Sequence, residues 1–98
     1  MTWEDVRKLA LKLPGVEEGT SYGTPALKAK KKLFVRLKEE GDVIVLKMPI
    51  DQREAMISEA PEKFFITDHY LKYDWILVRL NKVKESEMRD LLKGAVRL

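Results

Sequence analysis

The segment TDHYLKYDWILVRL, residues 67–80, holds the chain's single histidine, His69, among Tyr70, Tyr73 and Trp75. Histidine changes charge near neutrality, so His69 is the first residue to test as general base, proton carrier or metal ligand. Each role needs partners. A metal would require several further donors of matched softness, and the sequence offers no cysteine, no second histidine and only Asp68 and Asp74 close by. As a base, His69 would have to serve Ser21, Thr24 or Ser86, none of which lies in a strand-turn-helix elbow or beside a glycine-rich oxyanion turn. The adjacent pairs Glu17–Glu18 and Glu39–Glu40 would point to opposite sides of a strand, or solubilise a turn, and make a poor acid–base couple. GTSYG precedes a strand, whereas a phosphate loop needs GK[ST] opening a helix. These residues point to binding without catalysis, metal or cofactor.

The aromatic segment then has three readings. Tyrosine, histidine and threonine can pack an apolar body while sending a polar tip to backbone groups, which would pin a loop by its own hydrogen bonds. The same loop would present Tyr70, Lys72 and Tyr73 beside a strand bearing Trp75 and Arg79, a combination suited to stacking and charge on an anionic chain. A small-molecule pocket lined by Tyr22, His69, Tyr70 and Trp75 is the third.

The pinned loop is the simplest of the three, and charge permits the anionic chain without demanding it. Across 98 residues, 19 Lys and Arg face 16 Asp and Glu, a formal net charge of +3. Its distribution is uneven: between Thr20 and Lys38 stand Lys28, Lys30, Lys31, Lys32, Arg36 and Lys38 with no acid. Together with Lys47 and Arg79 they would contact phosphates, with Tyr73 and Trp75 as stacking groups, so DNA is the expected partner and backbone contacts with little sequence preference the expected mode. A structural reading stands beside it, because edge strands and hairpins also carry lysine to prevent aggregation.

The elements that must position these residues follow from periodicity. Thr2 and Asp5 suit a capping box, and Trp3, Val6, Leu9, Ala10 and Leu13 recur at helical spacing until Pro14 and Gly15. VEEGT reads as a turn; residues 22–30 and 33–38 read as two strands joined by a lysine-rich loop, and VIVLKM as a third after the EEGD turn. Residues 50–60 form a second helix, 64–66 and 75–80 two further strands, and Met88, Leu91, Leu92, Ala95 and Val96 a last helix with Ser86 as its cap. The order α-β-β-β-α-β-β-α predicts one α+β domain over residues 1–98, an antiparallel sheet of about five strands with helices on one face. Its interior would be a 45% hydrophobic chain's small core. Without cysteine and without an apolar N-terminal run, a cytoplasmic setting and no membrane span are expected.

Strand alternation sorts side chains further. Leu27, Ala29, Leu33, Val35, Leu37, Ile44, Leu46, Met48, Ile76, Val78 and Leu80 suit the face under the helices. The opposite set is Lys28, Lys30, Phe34, Arg36, Lys38, Val43, Val45, Lys47, Trp75, Leu77 and Arg79. Phe34, Val45, Leu77 and Trp75 within it would make an apolar patch for a homodimer or another protein partner.

Over nearly its whole length, in TWEDVRKLALKLPGVEEGTSYGTPALK, KLFVRL, PEKFFITDHY, YDWILVRL and the closing EMRDLLKGAVRL, the chain resembles the MmcQ/YjbR family. The motif positions are Gly15, Glu17, Glu18, Tyr22, Gly23, Pro25, Phe34, Thr67, Asp68, His69, Tyr70, Trp75 and Arg79. The resemblance implies a CyaY-like, frataxin-like sandwich and a DNA-binding role of double-wing type, and it brings no catalytic residue. Leu27 stands where phenylalanine is common, and Asp74 where proline is, which removes a rigid φ at the loop entrance. Iron handling does not carry over, since it is linked in frataxins to an acidic ridge and the densest charge block here is basic.

Overall fold

A computed structural model describes all residues, 1–98. Helix α1 spans Trp3–Leu11 and opens on the expected capping box, with Asp5 N–H donating to Thr2 Oγ1 at 3.3 Å and Thr2 N–H to Asp5 Oδ2 at 2.9 Å. Four strands follow as a meander: β1 (Val16–Ser21), β2 (Thr24–Ala29), β3 (Lys32–Leu37) and β4 (Val43–Lys47). Helix α2 (Ile50–Glu59), the two-residue β5 (Phe64–Phe65), a 3₁₀ turn (Asp68–Tyr70), β6 (Trp75–Arg79) and α3 (Glu85–Ala95) complete the chain. The sheet is antiparallel throughout, in the order β1-β2-β3-β4-β6-β5.

Six strands, not five, make this sheet, because VEEGTS is strand β1 and not a turn. As an edge strand, β1 buries little and exposes Glu17 and Glu18, so it lacks the apolar alternation that marks a half-buried strand. The turn falls instead at Tyr22 and Gly23, whose φ values of 53° and 79° fit a two-residue hairpin connection between the paired Ser21 and Thr24. Lys30 and Lys31, at φ 52° and 68°, make the same kind of turn between β2 and β3. Helix α3 also starts earlier than Ser86 suggested. Lys84 is its N-cap, and Glu87 Oε1 accepts the Lys84 N–H at 3.1 Å.

The helices cover one face of the sheet. Val6, Leu9 and Ala10 of α1 and Met88, Leu92 and Ala95 of α3 pack with Leu27, Val35, Ile44, Leu46, Ile76 and Val78 in one apolar cluster, flanked by Met56 and Ile57 of α2. Alternation holds along β4 and β6 but breaks in β3. There Leu27 pairs with Val35 while Lys28 pairs with Leu33, so Phe34 is an extra residue at a bulge. Past a bulge every side chain changes face. Phe34 therefore joins the covered core and Leu33 turns to the open face, reversing the expectation for both.

Candidate functional site

On the open face a second, smaller cluster of Val45, Leu77 and Tyr70 is roofed by the segment between β5 and β6. Burial alone does not hold that segment. Arg53, on α2 and 1% exposed, sends its guanidinium into it. Arg53 Nη1 donates to the carbonyls of Tyr73 at 2.8 Å, Trp75 at 3.0 Å and Tyr70 at 3.4 Å, and Nη2 donates to that of Leu71 at 2.9 Å. A planar fork of donors suits such converging carbonyls, which a lysine's single ammonium could not span. Asp74 ties the same segment to the start of α2: its carboxylate accepts the Ile50 N–H at 3.2 Å, and its carbonyl accepts the Met48 N–H at 2.9 Å. A proline at position 74 would lack that carboxylate. Sequence pattern did not single out Arg53, which sits among the polar positions of an amphipathic helix and whose partners are backbone groups that leave no residue signature.

Tyr70 links this tether to the sheet. Its hydroxyl accepts from Arg36 Nη2 at 2.7 Å, while Arg36 Nη1 donates to Thr24 Oγ1 at 3.1 Å, the Leu37 carbonyl at 3.2 Å and Glu39 Oε1 at 3.3 Å. Arg36 is 5% exposed. Burial opposes its charge, but Tyr70 and Glu39 outweigh that and hold the guanidinium above its ordinary pKa. Arg36 Nε makes no hydrogen bond, yet the one enclosed side-chain polar atom without a partner is Arg53 Nε. The free donor of Arg36 therefore opens to accessible space.

Arg36 also lines a cavity of about 290 Å³, together with Tyr22, Leu33, Val45, His69, Tyr70, Tyr73 and Trp75. Tyr22, 77% exposed, lies with its ring 5.1 Å from the Arg36 guanidinium carbon, and Tyr73 on another lip is 61% exposed. His69 is exposed and meets Tyr70 edge to face, centroids 4.7 Å apart. The four residues expected of a pocket, Tyr22, His69, Tyr70 and Trp75, thus come together, although 46 residues of chain lie between Tyr22 and His69. Leu33, Arg36, Val45 and Tyr73 complete the wall; strict alternation predicts Leu33 on the covered face, and the bulge turns it out.

The eight expected phosphate-binding bases separate into two groups. Arg36 is buried in the network above, and Lys38 pairs with Glu40 at 3.3 Å and Glu39 at 3.8 Å. Arg79 lies 4.1 Å from the centroid of the Phe65 ring and donates to the Pro61 carbonyl at 3.1 Å. Lys28, Lys30, Lys31, Lys32 and Lys47 make no ion pair. Two of these border the cavity: Lys28 stands opposite Leu33 in the β2–β3 register, and Lys47 lies 5.7 Å from the centroid of the Trp75 ring. The apolar patch expected for a protein partner is mostly enclosed, because Phe34 turns inward and Val45 and Leu77 lie under the Tyr70 segment.

A family model described as YjbR matches residues 11–98. The fold is similar to that in a crystal structure of the Deinococcus radiodurans protein DR2400, described as a DUF419 domain, with a TM-score of 0.81 and 21% identity over 96% of this chain and 75% of that one. At that identity the likeness speaks for the fold. No curated protein matches. No helix is long and apolar enough to cross a membrane.

Proposed function

The chain belongs to the YjbR family, and from that premise we propose that it binds DNA through the open face of its sheet, without catalysis. The observation that carries this reading is the group Lys28, Lys30, Lys31, Lys32 and Lys47, five cations that make no ion pair, of which Lys28 and Lys47 border an aromatic cavity and the other three stand at the β2–β3 turn. Each phosphate a lysine neutralises releases condensed counterions, and the contacts carry little sequence information. Arg36, Lys38 and Arg79 take structural parts in this proposal, since their charges already face Tyr70, Glu39, Glu40 and the Pro61 carbonyl. A cytoplasmic setting fits a cysteine-free chain with such a partner. The CyaY-like kinship belongs to the same proposal and concerns the chain path alone. A homodimer through the open face is the weaker reading, because Val45 and Leu77 lie under the chain's own loop and Phe34 lies in the core beneath the helices.

Fluorescence anisotropy of a labelled oligonucleotide at rising salt tests this. Log affinity falls linearly with log salt, with a slope of about −3.5 for a single strand or about −4.5 for a duplex if the five lysines each meet one phosphate. Lys30→Glu with Lys31→Glu lowers both affinity and slope. No binding even at low ionic strength removes the proposal.

A further inference from the structure

Resting on that DNA reading, we propose that the cavity seats one unstacked nucleobase, so that the ligand is a single strand and not a duplex. Its volume of about 290 Å³ falls at the foot of the range for ligand pockets, roughly 300–1,000 Å³, and suits one ring system better than a larger ligand. Tyr22, Tyr73 and Trp75 offer ring faces or edges, and Leu33 and Val45 apolar floor. Base stacking on such side chains tolerates any sequence, because every base has a π-face. Arg36 lines the cavity with its Nε unpaired, and the Tyr22, Tyr73 and His69 side chains on the same wall add polar tips that a base carbonyl or ring nitrogen can meet.

Backbone strain points to the same place. Tyr22 holds φ 53° in a two-residue turn where asparagine or glycine is at ease, and an exposed aromatic there puts its ring over Arg36 and not into any core. Charge sits where the phosphates of a seated nucleotide would pass, since Lys28 lies opposite the cavity residue Leu33 and Lys47 lies over the cavity residue Trp75. In a duplex the bases are paired and stacked, and reaching this recess would require extrusion of one of them.

The experiment compares a labelled ten-nucleotide thymidine single strand with a duplex of equal length, using the full chain at low salt. The single strand binds at least tenfold tighter. Tyr73→Ala weakens single-strand binding on the order of tenfold and leaves duplex binding unchanged. Tyr22→Asn, which keeps a residue tolerant of the left-handed turn, has the same selectivity. Thermal melts of both variants confirm folding, which their exposure favours. In a Trp3→Phe background, where Trp75 is the remaining tryptophan, thymidine monophosphate changes its fluorescence saturably. Equal affinity for both ligands, with Tyr73→Ala indifferent, overturns the base seat while the lysine-dependent salt slope leaves the DNA reading standing. Absence of binding to either ligand overturns both.

Discussion

The two faces of one sheet are held together by different forces. Under the helices, 17 buried residues form a cluster made entirely of apolar side chains. On the open face only Val45, Tyr70 and Leu77 are fully buried together, and the segment above them is secured by two enclosed guanidinium groups, Arg36 and Arg53. Apolar packing is non-directional and tolerates adjustment, whereas a guanidinium aimed at four carbonyls fixes a loop in one shape. The helical side thus supplies stability, and the open side supplies positional precision for a cavity whose wall includes Tyr70, Tyr73 and Trp75.

The contrast can be broken from either side. Leu46→Ala removes a fully buried side chain from the large cluster and costs about 3–5 kcal/mol, lowering the melting temperature by more than about 12 °C and accelerating amide exchange across the whole sheet. Arg53→Met removes the guanidinium from the carbonyls of Tyr70, Leu71, Tyr73 and Trp75, of which Tyr70 and Tyr73 keep a backbone N–H donor, at about 2–3 kcal/mol. Its exchange signature is local. The Tyr73 and Trp75 amides, which donate to Tyr70 and Tyr73 carbonyls, lose protection before the sheet does. Arg53→Lys recovers only part, because its ammonium cannot reach both ends of the carbonyl set. Unchanged stability and exchange in Arg53→Met would show that the Asp74 and Arg36 ties and the burial of Tyr70 hold the segment without the Arg53 guanidinium.

Tyr70→Phe sharpens the comparison. The ring continues to cover Val45 and Leu77, but the acceptor 2.7 Å from Arg36 Nη2 is gone. Arg36 retains Thr24, Leu37 and Glu39 as partners, so the loss is about 1 kcal/mol, read as a lower urea midpoint with an unchanged slope. A neutral result would assign Tyr70 to packing only.

The same division explains what sequence alone discloses. Periodicity exposes elements that bury apolar side chains, and so α1, β4, β6 and α3 are legible within a residue or two at most of their ends. Strand β1 is not, because an edge strand carrying Glu17 and Glu18 outward satisfies its backbone without an apolar stripe. The β3 bulge is invisible for a related reason: Leu33 and Phe34 are both apolar, and nothing in their types says which of them turns under the helices. Tyr22, His69, Tyr70 and Trp75 were legible as pocket residues because aromatic and polar tips together mark such sites. Arg53 was not, since its role depends on carbonyls supplied by a loop 17 to 22 residues further along.

Glu39 supplies the smallest and most discriminating effect, because it joins stability to charge on the open face. Its own backbone N–H, and then Arg36, hold its carboxyl below the usual range, as Lys63 does for Glu87 on the helical side. A carboxylate whose folded pKa is depressed stabilises above its unfolded value and loses that contribution as pH falls through the folded one. Stability therefore declines as pH drops below about 4.3, and Glu39→Gln or Glu87→Gln each flattens part of that acid limb in urea titrations. Only the first should alter binding. Removing the Glu39 charge leaves Arg36 and Lys38 less neutralised at pH 7 and raises the positive potential beside the cavity, tightening oligonucleotide binding roughly twofold at low salt. Glu87 pairs with Lys63 at 2.8 Å, away from the cavity-lining residues, and its substitution leaves affinity unchanged. Equal effects of the two variants on binding would mean that net charge, and not the field of the open face, governs the interaction.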